Sequence, residues 1–157
     1  MLGLEDFKQL VANAPLFAID LVVLNEQNQI LLGQRKNAPA KGFWFVPGGR
    51  VFKNESLENA VKRISQVELG CMLNREALHF LGLFDHFYSD SFFDKQISTH
   101  YINATHGIRL AVEQLNLPTE QHKVYRWVDV DDLAQDETVH SFSKIFIDDL
   151  KQWLNYD

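Results

Sequence analysis

The sequence predicts an α/β fold of the α+β kind: a mixed β-sheet sandwiched between α-helices. Two observations carry this. β-branched, apolar runs recur along the whole chain and interleave with only a few helical segments, a pattern that a mixed sheet between helices fits best. The chain has 157 residues, 46% of them hydrophobic, enough for the core of one domain and too short for a second at about 150 residues each. No repeat, low-complexity tract or linker interrupts it.

Each element has its own signal. Glu5 to Ala14 holds helix formers and stops before Pro15, which cannot continue a helix. Leu16–Asn25, "LFAIDLVVLN", is an apolar strand with Asp20 in its middle. Glu26-Gln27-Asn28 turns the chain into a second strand, Gln29–Arg35, and Lys36–Gly42 is a loop. "FWFVPGG", from Phe43, reads as one short strand ending in a glycine pair. Glu55 to Leu69 is a helix with Leu57, Ala60, Val61, Ile64 and Val67 on one apolar stripe, Asn54 as N-cap and Gly70 at C′. Leu78–Tyr88 and Ile97–Val112 are long strands, followed by a loop from Glu113 to Tyr125 around Pro118. Tyr125–Val130 is the last strand and Ser141–Tyr156 the closing helix. Trp44, Trp127 and Trp153 are expected in the core.

Composition excludes several classes. A net charge of -6 speaks against nucleic acid as the main partner. No apolar run approaches the ~20 residues of a membrane span, and the charged N-terminus does not read as a signal peptide. A lone Cys71 makes no internal disulfide, and a cytoplasmic location follows as the expectation. An acidic chain that binds a phosphate anion must concentrate its cations, which directs attention to Arg35, Arg50 and Arg63.

Gly49, Glu55, Arg63, Glu68 and Gly70 match G-x5-E-x7-R-x4-E-x-G. This resembles the Nudix box, the signature of enzymes that cleave nucleoside diphosphates linked to another group. "ILLGQR" and "WFVPGGRV" resemble the segments that precede the box in that family. The family's usual pattern places glutamates at three positions that here read Ile64, Val67 and Glu68. Positions three and four apart share a helix face, and three carboxylates there would hold one or more hard divalent cations. With one left, a single metal completed from elsewhere is expected.

The reduced box together with "LPTEQHKVYRW" (Leu117–Trp127), "FDHFY" and "STHY" resembles one branch of the superfamily, the GDP-mannose mannosyl hydrolases, over nearly the whole chain. That resemblance implies water attack at the anomeric carbon with inversion, releasing GDP and free sugar from GDP-mannose, and GDP-glucose is a further candidate substrate. It implies one Mg²⁺ per subunit, with Mn²⁺ as an alternative ion, held by the Gly48 carbonyl, Glu68 and Gln121. It makes His122 the general base, a task for which an unperturbed pKa of ~6.5 suits histidine. Arg35, Arg50 and Tyr101 bind the diphosphate and stabilise it as it leaves. Asp20 and His86 contact the mannose hydroxyls; Asp20, interrupting an apolar strand, needs a partner inside the protein in any case. Glu55 and Arg63 pair within the box and orient its loop. Leu2 and Phe7 reach the nucleotide across a homodimer, although helix packing explains Phe7 equally well. Two alternatives stay open: an ordinary Nudix pyrophosphohydrolase cutting between phosphates, and a nucleotide-sugar sensor without turnover. Retention of Glu68, Gln121, His122 and the three arginines argues against the sensor.

Overall fold

β1 (Leu16–Leu24) is the spine of the sheet. Its run "LFAIDLVVL" is apolar on both faces, the pattern of a strand covered on both sides, and Leu21 to Leu24 are all fully buried. The computed structural model describes residues 2–38, 40–118 and 124–155. Among these, β2 (Gln29–Gln34), β3 (Trp44–Phe45), β4 (Gly48–Arg50), β5 (His79–Tyr88), β6 (Thr99–Arg109) and β7 (Tyr125–Asp129) join β1 in one sheet. The path runs β3-β2-β1-β6-β5, with β4 also on β1 and β7 on β2. β1 and β6 are parallel; the other pairings are antiparallel, so the sheet is mixed.

Helices cover both faces. Ile19, Leu21 and Val23 of β1 pack with Ala60, Val61, Ile64 and Leu69 of α2 (Leu57–Leu69). Val22 and Leu24 point the other way, towards Phe146 and Leu150 at α4 (Ile147–Leu154) and Val130 and Leu133 of α3 (Val130–Leu133). The two-residue period of a strand sorts these side chains. α1 (Leu4–Asn13) meets β6, has Val11 buried and ends before Pro15. No helix among the described residues is long and apolar enough to cross a membrane.

Several sequence expectations are corrected here. Asn54 does not cap α2. It sits at φ 66° in the left-handed region, and Ser56 caps instead, its side chain accepting from Asn59 N at 3.1 Å. The helix begins at Leu57 rather than Glu55 because the Glu55 carboxylate accepts from Phe52 N at 3.0 Å and closes the preceding loop. At the other end Gly70 is left-handed, φ 62°, and a Cβ there would run into the Asn116 carbonyl. Val67, expected on the buried stripe, is 57% exposed. "FWFVPGG" is two strands rather than one: β3 pairs β2 and β4 pairs β1. Pro47 between them has no N–H to donate, and its carbonyl accepts from Leu21 N. The strand expected over 97–112 spans Thr99–Arg109, that over 78–88 starts at His79, and Val130 belongs to α3 rather than to the last strand. The closing helix is confined to Ile147–Leu154, with Ser141–Ser143 a separate 3₁₀ turn. The three tryptophans are partly buried against the two cores.

Candidate active site

One face of the sheet changes character along its length. Strand register places Ala18 opposite Asn103 and Asp20 opposite Thr105, and His86 opposite Tyr101. These residues share a face with Val22 and Leu24. Around Val22 the face is apolar and covered: a Cβ on Gly107, opposite Val22, would lie 2.6 Å from Trp153 of α4. From Asp20 towards Tyr101 and Tyr88 it is polar and opens into a cleft of about 460 Å³, in the usual range for a small-molecule site.

β4 and α2 form one wall of the cleft. Gly48 stands opposite Asp20, and a Cβ on Gly48 would collide with Asp20 Oδ1 and the Ile19 carbonyl, so only glycine allows this approach. Glu68, on the last turn of α2, lies on the cleft wall. Ile64, one turn earlier, does not. It is 1% exposed, packed in the core beneath Gly49.

The cations surround the mouth. Arg35 and Arg50 both line the cleft. Arg50 is held between two rings, 4.7 Å from the centroid of Phe7 and 4.9 Å from that of Phe52. Arg63 stands behind it. Its guanidinium donates to both Glu55 oxygens, at 2.7 and 2.9 Å, and to the Arg50 carbonyl at 2.7 Å, while lying 3.9 Å from the Phe52 centroid. The Arg63 guanidinium holds the Glu55 carboxyl below the usual carboxylate range. The pair therefore braces the backbone that carries Arg50.

The floor is electrostatically unusual. Asp20 keeps some surface open to the cleft, yet protein surrounds it deeply enough that desolvation pushes its carboxyl up to about 7, with Glu68 adding to the rise and Asn103 and Arg35 opposing it. His86 is 4% exposed, stacked on Phe142 at 4.5 Å, and desolvation lowers it to about 4. Its buried Nε2 has no hydrogen-bond partner among the described residues, an uncommon condition for a polar atom. Tyr101 and Tyr88 are pushed up by desolvation, so both stay protonated hydroxyl donors.

The structure thus brings Asp20, Arg35, Gly48, Arg50, Glu68, His86 and Tyr101 to one cleft, with Phe7 on its wall. Leu2 is 47% exposed and outside the lining. Gln121 and His122 lie outside the described residues. Among the described residues no three His, Cys, Asp or Glu side chains are grouped to hold a metal; Glu68 and backbone oxygen are hard donors of the kind Mg²⁺ takes. Sequence reasoning missed Asn103, Tyr88, Phe92 and Phe93, all on the cleft. Asn103 carried little signal, since its strand already mixes polar and apolar residues. Phe92 and Phe93 carried none beyond being adjacent aromatics in a polar loop.

The chain is similar to known proteins over most of its length. The NUDIX domain family matches residues 15–150. The chain is 40% identical over 120 residues to the low-salt glycan biosynthesis protein Agl8 of Haloferax volcanii, covering 76% of this chain and 75% of that protein. It is 39% identical over 70 residues to an ADP-ribose pyrophosphatase of Methanocaldococcus jannaschii, covering 45% of this chain and 40% of that protein. Among solved structures, the MutT NUDIX hydrolase of Burkholderia pseudomallei superimposes with a TM-score of 0.70 at 25% identity, covering 88% of this chain and 99% of that one. The chain belongs to the Nudix family and is a Nudix hydrolase.

Proposed function

We propose that this Nudix hydrolase converts GDP-mannose and water to GDP and mannose by attack at the sugar's anomeric carbon. Nudix proteins act on nucleotide-derived substrates, typically with a divalent metal such as Mg²⁺. The observation that carries the finer reading is the state of α2: Glu68 faces the cleft, Ile64 is sealed in the core and Val67 is exposed. A helix with one carboxylate at the site is poorly equipped to assemble several metals around a water aimed at phosphorus. It is sufficient for one cation that neutralises a departing diphosphate. Glu68 and the Gly48 carbonyl would hold that cation, with Gln121 as a further ligand, and bound Mg²⁺ would supply charge for the leaving group.

The remaining residues divide the work. Arg35 and Arg50 take the diphosphate, Arg50 pre-oriented by its two rings and by the Arg63–Glu55 brace. Tyr101 donates its hydroxyl to a phosphate oxygen. The sugar lies towards Asp20 and His86, both on the lining of the cleft. Phe7 meets the nucleotide from this subunit; a contact from Leu2 calls for a second copy of the chain. His122 takes the proton of the attacking water. The new bond joins water oxygen to C1, and the C1–O bond breaks with its electron pair leaving on GDP. A relative named for glycan biosynthesis supports a nucleotide-sugar substrate.

The test is incubation with GDP-mannose and Mg²⁺ in ¹⁸O-water. Label in mannose, and β-mannose as the first anomer by early proton NMR, is the expected result. Label in phosphate, with GMP and mannose phosphate as products, would replace this reading with pyrophosphate cleavage, the activity named for the relative from M. jannaschii.

A further inference from the structure

Asn103 and Thr105 are 2% and 1% exposed on β6. Two residues apart on a strand, they share a face. Thr105 Oγ1 donates to Asn103 Oδ1 at 2.8 Å. A carboxamide has an acceptor end and a donor end. With the oxygen committed to Thr105, the NH₂ end remains, and interaction with the Asn103 side chain opposes the rise in the Asp20 pKa. The register makes this a diagonal contact, since Asp20 stands opposite Thr105 and Asn103 opposite Ala18. On its other side, Asp20 Oδ1 occupies the space that a Gly48 side chain would fill.

We propose that Asn103 is a positioning residue for the sugar end of the cleft: Thr105 sets the direction of its amide, and the amide N–H fixes the Asp20 carboxylate in the orientation it presents to substrate. This rests on the reading that Asp20 meets the sugar. When Asp20 is ionised, a flipped amide would aim its carbonyl at the carboxylate oxygen, acceptor against acceptor. Thr105, whose hydroxyl donates to the amide oxygen, disfavours that flip. Asn103 acts through Asp20, and Thr105 through Asn103.

The experiment compares Asn103→Leu, Thr105→Val and Thr105→Ser with the wild-type chain. Two quantities are measured: kcat/KM for GDP-mannose with Mg²⁺, and the affinity for GDP by calorimetry, since GDP has no sugar to meet Asp20. Loss of a hydrogen bond to a charged group predicts a fall of about 10- to 100-fold in kcat/KM for Asn103→Leu, and loss of a neutral one about 2- to 10-fold for Thr105→Val. Thr105→Ser should retain most activity, and GDP affinity should stay within about twofold throughout. In an Asp20→Asn background, Asn103→Leu should cost little more, because the two act as a unit. A loss of GDP affinity parallel to kcat/KM, or full additivity with Asp20→Asn, would overturn the proposal. The side-chain amide resonances of Asn103 give a reading free of turnover. Both Thr105→Val and Asp20→Asn should shift that NH₂ pair; if neither does, the relay is refuted. An inactive wild-type enzyme whose pair still shifts would sink the GDP-mannose reading and leave the relay standing.

Discussion

Placing glutamate at 64 would restore one carboxylate of the usual family pattern, and the structure predicts that it destabilises the fold instead of building a metal site. Ile64 is 1% exposed, enclosed by Ile19, Leu21, Ala60 and Val61 among others, and pressed against Gly49 from below. Removing its burial forfeits about 1.5–3 kcal/mol. The new carboxyl meets apolar neighbours and avoids charge by staying protonated. Holding it neutral at pH 7 against a reference of ~4.3 costs about 1.36 kcal/mol per unit, or ~3.7 kcal/mol. The sum, ~5–7 kcal/mol, rivals the whole stability of many domains. The sign is testable: the folded-state pKa would lie above the unfolded one, so the penalty grows as pH rises above ~4.3. At pH 5 the protonation part shrinks to about 1 kcal/mol. Urea unfolding of Ile64→Glu at pH 5 and pH 7 should therefore differ by roughly 2–3 kcal/mol after subtraction of the wild-type change. Val67→Glu, at a 57% exposed position, is the control and should stay within about 0.5 kcal/mol of wild type. If Ile64→Glu matches Val67→Glu at both pH values, or gains more stability from millimolar Mg²⁺ than wild type does, the side chain has turned into the cleft and the one-carboxylate argument fails.

Three further outcomes follow from the site. His86, lowered to about 4 chiefly by desolvation, with His140 lowering and Asp85 raising it, is neutral in the fold; its contribution is present above ~6.5 and lost as pH falls towards 4. His86→Phe should thus flatten the acid side of the stability curve by up to about 3 kcal/mol, read by thermal melts against pH, and an unchanged slope would contradict a buried neutral imidazole. Glu68→Gln should lower turnover severely and weaken the divalent-ion requirement's midpoint, measured by metal titration; near-normal turnover in excess chelator would refute the single-metal reading. His122→Gln should cost roughly 10²–10⁴-fold in rate and remove the acidic limb of the pH–rate profile, while GDP affinity changes little; an intact limb would exclude His122 as the base and bring forward His86 or Asp20.

What could be read in the sequence was set by whether the governing interaction is local. α1 stops at Pro15 and α2 at Gly70 because the breaker sits beside the break. The strands announce themselves through their own side chains. Asn54 misled because N-cap propensity is local, while the competing demand is not: Glu55 is claimed by Arg63, eight residues away, and by Phe52 N. Pro47 marked a turn, but its sequence does not tell which strand each half of "FWFVPGG" would join. Val67 obeyed the helical period yet fell at the margin of the stripe and is 57% exposed.

The candidate site follows the same rule at longer range. Gly49, Glu55, Arg63, Glu68 and Gly70 lie within one loop and helix, so their spacing is readable. Asp20, Asn103, Thr105 and His86 come from three strands, and only the registers of β1 with β6 and β6 with β5 reveal that one face carries them all. Along that face the sequence of β1 alone looks like a buried strand with one misplaced acid. Once the partners are in register, Asp20 marks the line where the apolar cover of α4 ends and the polar cleft begins. The same acid that breaks the hydrophobic pattern lies diagonally across from Asn103, faces the backbone of Gly48 and feels the charge of Glu68. Its displaced protonation is a consequence of burial at the inner end of the cleft, so the chemistry of the cleft is set by what the strand registers bring around Asp20 as much as by the residues of the box.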